Sequence, residues 1–211
     1  MAQYNIIAES QEYTVVAEYD HVATPAEAYQ SEADLEKEFI RLLGEQGYEY
    51  LPIHTEADLI SNLRTQLEKL NHYHFTDSEW EQFFNEYIAN KNDDIVAKTQ
   101  KIQDDYIQVL KRDTGESQNI KLIDKDNIHN NFVQVINQYV EEGGNYDTRY
   151  DVSILVNGLP LVHIELKRRG VQLKEAFNQI NRYQRDSFWA GCGLYEYVQI
   201  FVISNGTNTK Y

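Results

Sequence analysis

Residues 150–170 have the sequence YDVSILVNGLPLVHIELKRRG, and this stretch decides the fold. Two apolar runs flank the dipeptide Asn157-Gly158, which between such runs is typical of a β-hairpin turn. Because side chains alternate along a strand, the polar residues of the second arm share one face of the sheet. The sequence therefore predicts a hairpin whose second arm ends in the basic segment KRRG.

Three ionisable residues lie where this hairpin ends. Glu165 and Lys167 share a face of the second arm, and Asp151 opens the first arm. If Asp151 lies beside Glu165, their oxygens suit a divalent cation such as Mg²⁺, which needs only one or two protein carboxylates. A cation there would activate water for phosphodiester hydrolysis, and Lys167 would hold the water or the phosphate. The plainer interpretation is that ELKRRG is only a strand leaving the core.

The residue count along the hairpin decides whether Asp151 and Glu165 share a face. A plain two-residue turn would place Asp151 opposite Ile164, on the sheet face away from Glu165. An odd residue would bring the two carboxylates together, either in a three-residue turn with a G1 bulge or as a bulge near Ser153. The proposed chemistry therefore predicts an irregular hairpin.

Length, composition and charge limit the class of protein. The 211 residues are 42% hydrophobic with a net charge of −15, which suits one domain with a sizeable aromatic core. Residues 1–50 hold eleven acidic and two basic residues, whereas residues 149–185 hold seven basic and three acidic ones. Only the second segment suits a polyanion such as DNA, although such a cluster is by default a solvated face.

Several simpler functions are not supported by the sequence. No apolar run approaches the ~20 residues that a membrane helix needs, so we expect a cytoplasmic protein without membrane association. The single cysteine, Cys192, excludes an intrachain disulfide and is expected to be a partly buried free thiol. Five of the six histidines, as candidate zinc ligands, lack the spacing of a zinc site and are expected at the surface or in the core: His54, His72, His74, His129 and His163.

Capping patterns mark the starts of helices. Three candidate N-caps with an acidic residue three positions later are Ser31-x-x-Asp34, Thr55-x-x-Asp58 and Thr76-x-x-Glu79. An earlier start is offered by Thr24-Pro25, and the first helix is expected to run to about Gly47. Glu32 and Glu36 fall at the edge of its apolar face, so two carboxylates are predicted to point inward.

We predict a single α/β domain over residues 1–211, with a central mixed sheet flanked by helices. Residues 24–53 would form the first core helix and a strand, and residues 55–112 a helical insertion whose last helix spans 93–110. Residues 118–211 would form the catalytic sheet, a further helix and the last core strand.

The residues around the hairpin resemble a nuclease motif. Asp151, thirteen intervening residues and the tripeptide ELK at 165–167 look like the PD-(D/E)xK motif, with Tyr150 in place of a proline that is no ligand. Gln179-x-x-x-Tyr183 looks like the QxxxY motif of a subset of that superfamily. The segments SEADLEKEFIRLLGEQGYEY, RYDVSILVNGLPLVHIELKRRGVQLKEAFNQINRYQRDSF and QIFVISNGTNTKY together resemble the amino-terminal endonuclease domain of the R (HsdR) subunit of type I restriction-modification enzymes.

This resemblance implies a PD-(D/E)xK restriction-endonuclease-like core with a helical insertion. It also implies a Mg²⁺-dependent enzyme that cuts double-stranded DNA without a sequence preference of its own. By the resemblance, Asp151 and Glu165 are metal ligands and Lys167 is the catalytic lysine. Gln179 and Tyr183 would lie near the catalytic pocket and the DNA path.

Further residues and partners follow from the same resemblance. Glu36, and secondarily Glu32, matches an acidic residue that many such nucleases carry on the first core helix. Candidate DNA contacts are Lys167, Arg168, Arg169, Lys174 and Arg182. In the family this domain precedes an ATP-driven motor on the same polypeptide and docks with methyltransferase and specificity subunits. Because the chain lacks a GxxxxGK[ST] motif, we expect a fragment, with ATP used only by motor domains downstream.

Two other functions remain open at this point. The chain could be a catalytically idle PD-(D/E)xK module that only docks within the restriction complex, although the intact trio of Asp151, Glu165 and Lys167 argues against this. It could also be a non-nuclease α/β protein whose acidic surface binds a basic partner. The second function predicts no change in stability when a divalent cation is added.

Overall fold

The computed structural model describes residues 4–9, 15–19, 30–141 and 148–211, with 4–9, 15–19, 175–176 and 184–186 as backbone only. The strands are β1 (Tyr4–Glu9), β2 (Val15–Tyr19), β3 (Glu49–Tyr50), β4 (Ile107–Lys111), β5 (Ser117–Lys121), β6 (Val133–Glu141), β7 (Thr148–Val156), β8 (Leu159–Leu166), β9 (Ile200–Ser204) and β10 (Thr209–Lys210). The α-helices are α1 (Glu32–Glu45), α2 (Glu56–Asn71), α3 (Asp77–Phe83), α4 (Ile95–Gln103) and α5 (Leu173–Asp186). A π-helical turn, Phe84–Ile88, follows α3, and 3-10 turns cover Ile128–Asn130 and Leu194–Tyr197.

One mixed sheet organises the domain. Its strand order is β1-β2-β10-β9-β8-β7-β6-β3. The pairs β8–β9 and β3–β6 are parallel, and the other neighbours are antiparallel. Helices flank this sheet, so the predicted α/β class with a central mixed sheet is confirmed. Within the described ranges, no helix combines the length and the apolar character needed to cross a membrane.

The two faces of the sheet bury different partners. The face toward α1 packs a small cluster that includes Leu43, Val135, Val152, Ile164 and Leu166. The other face carries the main core, in which α2 contributes Leu59, Leu63 and Leu67, each 0% exposed. This stripe follows the i, i+4, i+8 spacing of one helix face. The sheet is therefore covered on both sides around the β7–β8 hairpin.

The predicted caps are present wherever the structure describes them. Ser31 accepts from the Asp34 backbone N–H at 3.1 Å, and Thr55 accepts from the N–H of Asp58 at 3.3 Å. Thr76 and Glu79 form a capping box, in which the side chain of each residue accepts from the backbone N–H of the other. The earlier start at Thr24-Pro25 lies outside the described residues. The apolar face of α1 includes Leu35, Phe39 and Leu43, whereas Leu42, which the 3.6-residue period also predicts on that face, is 41% exposed.

The prediction of a helix over 93–110 was wrong at its end. Helix α4 stops at Gln103, and β4 pairs with β5 as a separate two-stranded sheet. The reason is that buried and exposed residues alternate along the sequence IQVLK, as on a half-buried strand. Leu110 is buried, for example, and the preceding Val109 is 47% exposed. The helical segment 55–112 thus includes a strand, and β5 lies outside the main sheet.

The turn of the β7–β8 hairpin has two residues. Val156 pairs with Leu159, and Asn157 and Gly158 have φ values of 51° and 84°, as a type I′ turn requires. The predicted three-residue turn was therefore wrong. A Cβ on Gly158 would lie 2.6 Å from the Leu63 Cα, so the turn packs directly against the backbone of α2.

The odd residue that the chemistry requires lies further along β8. Leu161 is a bulge between residues 160 and 162, which pair with consecutive residues of β7. Beyond the bulge Val152 pairs with Ile164, so the register places Asp151 opposite Glu165. The prediction of one extra residue in this hairpin is confirmed, and the two carboxylates lie across from each other on adjacent strands.

Candidate active site

The end of the β7–β8 hairpin gathers three ionisable side chains. The Asp151 Oδ2 accepts from the Leu166 backbone N–H at 2.9 Å. The Lys167 Nζ donates to the Glu165 Oε1 at 2.7 Å, and the Glu165 side chain is 0% exposed. Because Asp151 bonds to the residue between Glu165 and Lys167, all three groups converge on the end of β8. The structure thus brings together the trio that the sequence singled out.

The pKa of the Asp151 carboxyl lies well above its ordinary value. Burial raises the pKa of its carboxyl to about 7, and the nearby charge of Glu165 acts in the same direction. The Leu166 N–H and the Lys167 ammonium favour the charged form, but they do not offset these effects. Burial first, and then repulsion by Glu165, therefore favour the protonated form of Asp151 in the cation-free protein.

Glu165 keeps its charge although it is buried. Burial raises its pKa, but the His163 ring and the Lys167 ammonium together lower it below the ordinary value. The His163 Nε2 lies 3.7 Å from Oε2, beyond hydrogen-bond distance, so we attribute the larger share to Lys167. Oε2 itself is buried and has no hydrogen-bond partner among the residues that the structure describes. The site therefore presents a charged carboxylate that binds Lys167 through one oxygen and leaves its other, buried oxygen without a hydrogen bond.

An unpartnered carboxylate oxygen is the feature that a bound cation would satisfy. Within the ranges that the structure describes, no three His, Cys, Asp or Glu side chains form a group able to hold a metal ion. Mg²⁺ requires only one or two protein carboxylates, because water supplies its other ligands. Asp151 and Glu165 meet that requirement, and a cation between them would relieve their repulsion. The donor set fits a hard divalent cation.

The first core helix also reaches this site. The Asn137 Nδ2 donates to the Glu36 Oε1 at 2.6 Å, and the Gln138 Nε2 donates to Oε2 of the same carboxylate. The charge of Glu36 contributes to the raised pKa of Asp151, so Glu36 lies within electrostatic reach of the carboxylate pair. Glu32 is exposed and accepts instead from a backbone N–H of the KRRG segment at 3.2 Å. Glu36 is therefore the α1 carboxylate nearer the carboxylate pair.

The two residues of the predicted QxxxY motif contact each other on α5. The Gln179 Nε2 donates to the Tyr183 hydroxyl, and that hydroxyl donates to the Arg149 carbonyl at 3.4 Å. Tyr183 is 3% exposed and packs edge to face against Tyr150. Burial, followed by the charge of Glu165, raises the pKa of Tyr183 to about 12. The pair thus lies beside the carboxylates, and Tyr183 is also part of the core.

The candidate DNA contacts differ in exposure. Arg168, Lys174 and Arg182 are exposed, whereas Lys167 and Arg169 are half-buried. The Arg182 guanidinium lies 5.7 Å from the centre of the Tyr183 ring. Arg168 thus follows the trio directly in the chain, whereas Lys174 and Arg182 lie on α5, the helix that carries the QxxxY residues.

Two neighbours of the site were not given a role in it by the sequence. His163 is a core histidine, as one of the two expected placements had it, because it is 0% exposed and packs against the Tyr150 ring. Neither of its ring nitrogens is hydrogen-bonded to a residue that the structure describes, and Nε2 lies 3.7 Å from Glu165. Gln138 was not singled out, although it has a φ of 52°. The adjacent polar residues Asn137-Gln138 in the apolar strand VQVINQYV were the available signal.

Comparisons with known proteins identify the class to which this fold and site belong. The chain is 48% identical over 206 residues to the type I restriction enzyme EcoprrI endonuclease subunit of Escherichia coli, covering 97% of this chain and 66% of that protein. It is 40% identical over 188 residues to a type I restriction enzyme endonuclease subunit of Staphylococcus saprophyticus, covering 87% of this chain and 19% of the relative. The relatives are thus endonuclease subunits of restriction enzymes.

The family follows from a second comparison. Residues 29–211 match the model of the family described as type I restriction enzyme R protein N terminus. The chain belongs to this family, as the resemblance in its sequence predicted. It spans 66% of the E. coli relative and 19% of the staphylococcal one.

Proposed function

We propose that the chain is the nuclease domain of a type I restriction enzyme R protein and that it hydrolyses phosphodiester bonds in double-stranded DNA with Mg²⁺. The observation that carries the proposal is the buried, unpartnered Oε2 of Glu165, with Asp151 opposite and the Lys167 ammonium on Oε1. Carboxylates and a lysine at the end of a central hairpin, beside a helix with QxxxY residues, also suit a PD-(D/E)xK core.

Each residue of the trio has a distinct task in this mechanism. Asp151 and Glu165 hold the cation, for which Asp151 must lose its proton. The bound cation supplies Lewis acidity and a lowered pKa for an attacking water. Lys167 orients that water or the scissile phosphate, because its ammonium is fixed on Glu165 and stays charged. Its positive charge also opposes the charge that develops on the phosphate oxygens.

The surroundings of the trio suit a DNA backbone. Arg168, Lys174 and Arg182 are exposed on the segment after β8 and on α5, and they would contact phosphates. The Gln179–Tyr183 pair on α5 would lie along the same path. The net charge of −15 opposes this attraction elsewhere on the chain. The chain alone is therefore expected to bind DNA weakly and to cut it slowly, with delivery of the substrate left to other parts of the enzyme.

The proposed setting is a larger enzyme in the cytoplasm. The relatives are named as subunits and are longer than this chain. We propose that an ATP-driven motor on the same polypeptide translocates DNA and that methyltransferase and specificity subunits select it. ATP would act through the motor and not through the site described above.

The test is nicking of supercoiled plasmid in the presence of Mg²⁺ or Mn²⁺, with the chain in excess over DNA. We expect slow nicking that EDTA abolishes and that Lys167→Met lowers by at least about 100-fold, as loss of a transition-state contact does. Lys111→Met is the matched control, because Lys111 is exposed on β4, outside the main sheet, and should leave the rate unchanged. Absence of cation-dependent nicking, or equal nicking by Lys167→Met, would instead favour an idle docking module.

A further inference from the structure

Two consecutive residues of β6 bind one carboxylate. The Asn137 Nδ2 donates to one oxygen of Glu36, and the Gln138 Nε2 donates to the other. Successive side chains of a regular strand point to opposite faces of the sheet. A regular strand would therefore direct only one of these two amides toward α1, and a local irregularity must turn the second.

The irregularity is the backbone of Gln138. Its φ of 52° is left-handed, a conformation that residues with a Cβ rarely adopt. Ile136 and Tyr139 both belong to the core on the face away from α1, although they are three residues apart. The alternation of side chains along β6 is thus shifted by one residue at Gln138. As a result of this slip, the amides of both Asn137 and Gln138 face α1.

This slip lies directly across from the candidate active site. Asn137 pairs with Val152 and Tyr139 with Tyr150, so Gln138 lies opposite Asp151 on the neighbouring strand. Gln138 also donates to the Glu36 carboxylate of α1. The residue with the unusual backbone therefore lies across from Asp151 and binds the α1 carboxylate at the same time.

Asn137 is already fixed by other contacts. The Tyr50 hydroxyl donates to its Oδ1 at 3.0 Å, so its amide nitrogen must face Glu36. The His54 Nδ1 lies 3.1 Å from its carbonyl oxygen and donates to it. Asn137 would hold one oxygen of Glu36 in any case. Gln138 supplies the second contact, which sets the rotation of the carboxylate.

We propose that Gln138 is a positioning residue that uses its left-handed backbone to hold Glu36 near Asp151, where the negative charge of Glu36 supports the binding of a cation. This inference rests on the proposed function. It assigns Gln138 no contact with substrate or cation. Its effect is on cation affinity, because partners that orient metal-site carboxylates typically change affinity by about 10-fold to 100-fold.

Two variants distinguish the effect of the Gln138 side-chain amide from the effect of its backbone conformation. Gln138→Gly removes the amide and suits a positive φ, whereas Gln138→Ala removes the amide and keeps the unfavourable backbone. His72→Gly is the matched control, because His72 also has a positive φ, 49°, but is exposed at the end of α2. Mn²⁺ and Mg²⁺ affinities are measured by titration calorimetry on the 211-residue chain, and melting temperatures are measured in EDTA.

We expect both Gln138 variants to bind Mn²⁺ at least about tenfold more weakly than the wild type. Gln138→Gly should melt at or above the wild-type temperature, and His72→Gly should melt higher with unchanged affinity. Unchanged affinity in either Gln138 variant, with normal wild-type binding, would overturn the positioning role and leave the proposed function standing. A Gln138→Gly variant that melts at a lower temperature than the wild type would also overturn the positioning role, because Gln138 would then serve to stabilise the fold. A wild-type chain that binds neither cation would overturn both.

Discussion

Replacing Asp151 by asparagine should stabilise the cation-free protein at alkaline pH. The carboxyl has its pKa raised from 3.8 to about 7 in the folded chain, so folding favours its protonated form. At 1.36 kcal/mol per pH unit this rise amounts to at most about 4 kcal/mol. Because Asp151 is only half-buried, we expect about 2 kcal/mol. An asparagine oxygen can still accept from the Leu166 N–H, so the variant keeps the local contact.

The sign of the effect depends on pH. Below about pH 4 the wild-type carboxyl is protonated in both the folded and the unfolded chain, so Asp151→Asn should differ little from the wild type. As the pH rises from about 4 to 7, the unfolded chain loses this proton more readily than the folded chain does, so the stability of the wild type falls relative to that of the variant. The advantage of the variant should therefore appear between about pH 4 and 7 and stay constant above that range.

The assay is urea denaturation in EDTA at pH 4.5, 6 and 8. Glu81→Gln, on the exposed side of α3, is the control that removes a negative charge elsewhere. Added Mg²⁺ should stabilise the wild type at pH 8 and not Asp151→Asn, because only the wild type has both carboxylates. A variant less stable than the wild type at pH 8, or a difference that does not change with pH, would refute the reasoning about this site.

Three further outcomes are expected. Gly158→Ala should lose about 3 kcal/mol or more in urea denaturation, because its Cβ would meet the α2 backbone at 2.6 Å and its φ is 84°. Lys98→Met should lose about 2–3 kcal/mol, since Lys98 is 2% exposed and donates to the half-buried Glu196 carboxylate and to the buried Gly193 carbonyl. Adding Glu196→Gln should restore part of the loss. Tyr183→Phe should slow nicking and change the free energy of unfolding by only about 1 kcal/mol. Tyr183→Ala leaves a cavity in the core and should lower the free energy of unfolding by about 3–5 kcal/mol, measured by thermal denaturation.

Local signals in the sequence predicted much of this fold. Helix caps form at Ser31, Thr55 and Thr76. In each, the side-chain oxygen accepts a hydrogen bond from the backbone N–H three residues later, a contact that depends only on the first turn of the helix. The β7–β8 hairpin follows from Asn157-Gly158, whose backbone preference is equally local. Even the requirement for an odd residue could be stated from strand parity and the proposed chemistry alone.

The parts that sequence missed depend on contacts between distant segments. The bulge at Leu161 has no local signature, because its register is set by the partner strand and by packing of the turn against α2. The left-handed Gln138 is explained only by its bond to Glu36, about a hundred residues earlier in the chain. The sequence between β1 and β2, SQEYT, contains no Gly, Pro or Asn to indicate a turn, and the two strands join the sheet through β10.

The most direct measurement is a crystal of the chain grown with Mn²⁺ at pH 8 and examined for anomalous scattering. The account predicts a peak within about 2.0–2.6 Å of carboxylate oxygens from both Asp151 and Glu165, with the Lys167 ammonium beside it and Glu165 Oε2 no longer unpartnered. The peak should be absent from Asp151→Asn crystals grown in the same way. A wild-type map without a peak at this position, or with one bound elsewhere on the chain, would contradict the claim that these residues form a metal-dependent nuclease site.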